Sequence, residues 1–212
     1  MFIGHYGVAF AFKRVERRIP LWLLFVAVQF VDVVWSVLIL LGVEKARITR
    51  AFRGSLPLDL YYMPYTHSLP GAIGWSALAY VVCRFFTSRR ASLLIALAVF
   101  SHWILDLIVH RPDLPLYDNA QKVGFALWNY PVPALALEVA LYFGALWFYR
   151  KGFAGFAVLG AFILAIQVAT FWFPILPTPK IAAVIFLVGY IQLAAAANWL
   201  DRKNSGSEPQ LA

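Results

Sequence analysis

Apolar residues run along this chain in six long stretches, 21–43, 69–86, 91–109, 132–149, 153–173 and 181–200, separated by charged or proline-bearing breaks. A helix that crosses the ~30 Å hydrocarbon core of a bilayer needs roughly 20 such residues. Each stretch therefore predicts a membrane span. Arg89 and Arg90 divide the second from the third, Arg150 and Lys151 the fourth from the fifth, and Pro174, Pro177 and Pro179 the fifth from the sixth. Ahead of them Phe2 to Phe12 is apolar and runs into Lys13, Arg14, Arg17 and Arg18. A signal peptide carries its charge before the apolar run, so this segment does not read as one. As one helix, Phe2–Arg18 would be about 25 Å long at 1.5 Å per residue, a short seventh crossing. As an amphipathic segment it would lie on the inner surface, and the sequence leaves both open. Residues 44–68 are too many for a tight turn and read as a segment folded over the membrane surface.

The predicted fold class is all-α: a polytopic transmembrane helix bundle with six long spans and a short N-terminal helix. It forms one integral membrane domain over 1–200, followed by a disordered tail over 201–212 that contains Ser-Gly-Ser. Composition agrees, with 62% of the 212 residues hydrophobic and 13% charged, where a soluble domain has about a quarter charged. The single cysteine, Cys83, excludes an internal disulfide and a cysteine zinc cluster. The net charge of +8 is spread over the loops, which speaks for topology and anionic lipid, not for nucleic acid. Lys and Arg counted on alternate sides of the spans number eleven against seven. The richer side is the cytoplasmic one, which places the C-terminus in the cytoplasm.

Ionisable groups inside apolar spans are costly and mark function by default. Here they are few. Asp32 is halfway along the first span, His67 begins the second, and His102, Asp106 and His110 occupy the later part of the third and its exit. Glu138 is early in the fourth, and the last two spans, 153–173 and 181–200, carry no charge and read as scaffold. The later half of an odd span and the early half of an even one share a leaflet, so these groups gather at one level. If the N-terminal helix crosses, His5 joins them. His102, Asp106 and His110 follow i, i+4, i+8, which puts them on one helix face. An imidazole and a carboxylate at i, i+4 suit a divalent ion. His110, about 12 Å along the axis from His102, reads as a further ligand, a supporting group or an acid/base residue. The run Arg111–Tyr117 reads as a rigid surface turn, with Asp113 either part of it or orienting a histidine. Glu138 reads equally as a structural acceptor and as a base.

On these residues the chain resembles the YdjM-like family of bacterial membrane-bound metal-dependent hydrolases. Gly4-His5-Tyr6-Gly7 is similar to that family's early histidine, and Val31-Asp32-Val33-Val34 partly matches its Leu-Pro-Asp-x-Asp motif. Tyr65-Thr66-His67-Ser68 matches the end of its His-Arg-Gly-x-Thr-His-Ser motif, and Ser101-His102 through Asp106 its Ser-His-x-x-x-Asp motif. The resemblance covers about 1–150. It departs at Val34 and Tyr62, where the family has Asp and His, and His110 and Asp113 are the residues that would compensate. The resemblance implies metal ligation by His5, His67, His102 and Asp106, with Asp32 as a further ligand or an anchor behind them, and Ser68, Ser101 and Asp113 supporting them from behind. Zinc is the first expectation, manganese or iron the next.

Together these readings predict a divalent-metal hydrolase that acts on a lipid or lipid-linked ester, amide or phosphodiester through a metal-activated water, with Glu138 or His110 as acid/base residue. The expected partners are membrane lipid and a second copy of the chain. Two alternatives stay open: a proton- or metal-ion-coupled transporter using the same His/Asp face, and a non-catalytic membrane binding protein.

Overall fold

The computed structural model describes residues 2–49, 57–172 and 178–205. Among them are eight α-helices and two antiparallel hairpins. The helices are α1 (Ile3–Val15), α2 (Leu21–Val28), α3 (Phe30–Leu40), α4 (Leu69–Arg84), α5 (Arg89–Val109), α6 (Pro131–Tyr149), α7 (Phe153–Trp172) and α8 (Pro179–Ser205). Four of them, α5, α6, α7 and α8, are long and apolar enough to cross a membrane, or five spans if α2 and α3 count together. Apolar helices of this kind mark a membrane protein, but six long spans are not found among the described residues. The first predicted span is broken at Gln29, where α2 and α3 bend by 55°. The second, α4, has 16 residues, or about 24 Å.

Of the two forms predicted for the N-terminal segment, the one lying on the inner surface is not what the structure has. Its helix is α1, 13 residues long, and it is interior: Ile3, His5, Tyr6, Ala9 and Phe10 are all buried. It therefore does not lie on a surface. Membrane helices gain little from apolar burial against one another, so close packing has to hold them. At Gly7 an added Cβ would come within 2.5 Å of the Leu141 carbonyl oxygen, which shows how nearly α1 and α6 touch. Phe10 then sits among Phe25, Tyr142, Tyr149 and Phe156, with ring centroids 5.2–5.7 Å away. Lys13 is buried at the other end of α1, where its ammonium pairs with Asp201 at 3.0 Å and donates to the Arg17 and Ile19 carbonyls. Residues 201–205, predicted as the start of a disordered tail, are the last turn of α8, fastened in part by that pair. The remainder of the tail, 206–212, and Pro174 and Pro177 lie outside the described residues.

The two hairpins have no counterpart in the predicted helix bundle. β1 (Lys45–Ile48) pairs with β2 (Leu58–Tyr62), and β3 (Leu114–Tyr117) with β4 (Ala120–Val123). The first falls within the segment expected to fold over the surface. The second begins inside Arg111–Tyr117, so that run is a turn followed by a strand. At its tip Asp118 has φ 49°, a conformation that Asp tolerates better than most residues. Lys122 Nζ and Asn119 Nδ2 both donate to the Tyr61 carbonyl, which ties the hairpins together. Leu58, Met63, Trp103 and Leu114 form a buried apolar layer under them.

Candidate metal centre

Each of the four histidines comes from a different local device. His5 is in the first turn of α1, whose start is buried, so its free backbone N–H groups need acceptors. Glu138 of α6 supplies them: its Oε2 accepts from the Phe2 and Gly4 amides at 2.8 and 3.3 Å, and its Oε1 from Gln167 Nε2 of α7 at 2.9 Å. His67 precedes α4, whose first turn is capped by Ser68 Oγ accepting from the Gly71 amide. His102 and Asp106 are on the buried face of α5, and His110 is the residue that ends it. Asp32 is in the first turn of α3, just beyond the break at Gln29.

These elements bring the imidazoles to two carboxylates. Asp106 has His5 Nε2 at 3.2 Å from Oδ1, and from Oδ2 it has the Nε2 atoms of His102, His110 and His67 at 3.1, 3.4 and 3.8 Å. Asp32 Oδ1 has the Nε2 atoms of His67 and His102 at 3.3 and 3.5 Å. Two overlapping triads, His5–His102–Asp106 and Asp32–His67–His102, each place their donor atoms within 4.8 Å of one another. All five ligands implied by the resemblance are thus in one group, and His110 stands against it.

The far side of three rings fixes which nitrogen carries the proton. His102 Nδ1 is 2.8 Å from the Val28 carbonyl, and a carbonyl only accepts, so Nδ1 is the donor. The break at Gln29 leaves that carbonyl free of a helical partner, and the inserted ring accounts for the break. His67 Nδ1 is 2.8 Å from Thr66 Oγ1, whose one proton goes to Glu44 Oε2 at 2.6 Å. The hydroxyl oxygen must then accept from His67 Nδ1. His110 Nδ1 donates to Asp113 Oδ1 at 2.8 Å, and its ring rests on Trp128 at 4.3 Å. In neutral rings so held, Nε2 keeps its lone pair, and in all three Nε2 faces the carboxylates.

A cation fits this arrangement. Donor atoms around one tetrahedral ion at about 2.0–2.2 Å lie roughly 3.3–3.6 Å apart, close to the spacings here. His102 Nε2 and His5 Nε2, both buried, approach Asp106 to 3.1 and 3.2 Å, separations that ligands of a shared ion also show. The buried His/Asp group can hold a metal ion, and its nitrogen and oxygen donors suit a divalent one.

Outside the spans, burial disfavours a charge on His110, but the Asp106 and Asp113 carboxylates outweigh it and raise its pKa to about 9.

Other expectations need correction. Glu138 is buried, and its bonds go to the start of α1 and to Gln167. That geometry makes it an anchor of α1, the structural acceptor of the two readings, and it also lines the cavity beside the His/Asp group. Ser68 and Ser101 bond within their own segments, to the Pro64 and Ala98 carbonyls, and do not reach behind the ligands. Asp113 does. The last two helices are more than scaffold: Tyr190 of α8 donates to Asp32 Oδ2 at 2.9 Å, and α7 contributes Gln167. Sequence reasoning missed Glu44, Thr66 and Tyr190. Of these Thr66 carried a signal, since it stands beside His67 in the motif-like run.

The group forms the floor of a cavity of about 560 Å³ that Asp32, His67, Asp106, His110 and Trp128 share with α7 and α8. Comparison with protein-family models, with curated proteins and with solved structures finds no match for this chain.

Proposed function

We propose that this chain is a membrane-embedded, divalent-metal-dependent hydrolase of the YdjM-like kind, resident in a bacterial inner membrane with its C-terminus in the cytoplasm. The substrate is a lipid or lipid-linked ester, amide or phosphodiester. The observation that carries the reading is the convergence of four imidazole Nε2 atoms on Asp106 and Asp32, three of them held from behind through Nδ1.

His5, His67, His102, Asp106 and Asp32 would hold the ion, zinc before manganese or iron. Bound there, such an ion acts as a Lewis acid and brings the pKa of a coordinated water toward neutral. The protein's own part is to orient and to move protons. Val28 and the Glu44–Thr66 pair fix the rings of His102 and His67, and Tyr190 occupies one oxygen of Asp32 and leaves Oδ1 for the ligand group. His110 lines the cavity beside Asp106 and is set by Asp113 to hand a proton to the leaving group. Hydrolysis balances with one water: its oxygen bonds to the acyl carbon or phosphorus, and its protons end on the two products.

The test is incubation of the zinc-loaded protein in mixed micelles with a bacterial lipid extract, with products followed by mass spectrometry. A new lysolipid, fatty acid or phosphate ester, absent with Asp106→Ala, supports the reading. Ion or proton flux in proteoliposomes without any product would replace it with the transporter.

A further inference from the structure

The cavity above the His/Asp floor has an unusual wall. It is largely apolar, with Phe162, Ile163 and Ile166 on α7 and Ile185, Val188 and Gly189 on α8, and its polar members outside the floor are Glu138, Gln167, Thr170, Tyr190 and Gln192. Several of these lining residues are also open on the outside of the bundle: Phe162 is 61% exposed, Ile185 51% and Val188 47%. A residue that lines a cavity and is half exposed stands at its mouth. The mouth is therefore on the flank of α7 and α8, two helices apolar enough to lie against hydrocarbon. At Gly189 an added Cβ would meet nothing within 4 Å, so the cleft is open beside the α8 backbone.

We infer that the cleft between α7 and α8 is a lateral portal that takes an acyl chain of a membrane lipid directly from the bilayer and sets its polar linkage over the His/Asp floor. The complementarity is by chemistry along the cleft. Apolar walls match the chain, and buried Gln167, bonded to Glu138, lies on the way to the polar floor. A volume of about 560 Å³ is in the ordinary range of roughly 300–1,000 Å³ for a small-molecule site. A water-soluble substrate would gain nothing from a mouth facing hydrocarbon. This inference rests on the hydrolase reading for the fate of the bound lipid, but binding itself is tested without turnover.

The experiment is photo-crosslinking with a palmitoyl lysophospholipid that carries a diazirine near the chain end, in nanodiscs of phosphatidylethanolamine and phosphatidylglycerol. Adducts are mapped by peptide mass spectrometry, and metal content is measured on the same samples. Labelling should concentrate on Phe162–Gln167 and Ile185–Gln192. In Gly189→Trp it should fall about tenfold, the factor carried by roughly two displaced methylenes. Gly189→Leu, a smaller plug, should give a lesser fall, and Gly144→Trp, at a glycine with open space outside the cavity, should change nothing. Labelling spread evenly over the apolar helices, or unmoved by both Gly189 variants while Gly189→Trp keeps its metal, overturns the portal and leaves the hydrolase reading intact. Cleft labelling in a protein that never binds metal supports the portal and sinks the hydrolase.

Discussion

His5 and His102 lie ring on ring, their centroids 4.1 Å apart and their planes within 3°, although 96 residues separate them in the chain. Two imidazolium rings so placed would repel in a buried setting. Neutral rings that share a cation through Nε2 would not. The stack thus ties the position of α1 to the state of the site on α5. It also explains why a 13-residue helix too short to cross a bilayer is carried in the middle of the bundle: it delivers His5.

The Glu44–Thr66–His67 chain orients the His67 ring. Thr66→Val removes the hydroxyl that accepts from His67 Nδ1, so metal affinity should weaken about 10–100-fold, the usual cost of losing such a partner. Thr66→Ser keeps the hydroxyl and should restore most of it. Competition with a chelating dye reads both, and equal affinity in all three proteins would remove Thr66 from the site.

Glu138 separates two roles cleanly. If it anchors α1, Glu138→Ala leaves buried N–H groups without an acceptor, at about 1–3 kcal/mol each. Thermal unfolding in detergent should fall and metal content with it. Glu138→Gln retains an acceptor oxygen and should keep metal and most of the stability. A Glu138→Gln protein that is as stable as wild type and fully loaded, yet inactive on an identified substrate, would return Glu138 to acid/base chemistry.

In metal-free protein His110 should titrate near 9. The chain has four histidines, so the imidazole signals of histidine-labelled protein are few enough to follow by NMR. The sign follows from a raised pKa: the attraction of protonated His110 to Asp106 and Asp113 stabilises the fold in full below the unfolded value of about 6.5. It is lost as pH rises through about 9. Asp113→Asn removes one of the two carboxylates and should move the titration down. An unchanged titration would show that Asp113 does not govern this ring.

Much of the site was legible because charge is so costly in an apolar span that the few ionisable groups identify themselves. The i, i+4, i+8 face of His102, Asp106 and His110 needed only the helical period. Tyr190 could not be found that way, since a tyrosine in an apolar span is ordinary until its hydroxyl is seen on Asp32. Periodicity also gave no sign of the bend within the first span. Val26 to Val33 is apolar apart from Gln29 and Asp32, with no proline or glycine to announce a break. The bend is tertiary in origin, with His102 taking the Val28 carbonyl. The hairpins escaped because short strands under a bundle leave no long pattern, and Asp201–Ser205 became helix through a pair with Lys13 that is distant in sequence.

Elemental analysis of detergent-purified protein beside His102→Ala and Asp106→Ala tests the metal centre most directly. Near-stoichiometric zinc, manganese or iron in the wild type, lost in both variants while each stays folded by circular dichroism, is the expected result. A wild-type protein that holds no metal after loading with each ion would contradict the centre and return the His/Asp group to proton handling or structure.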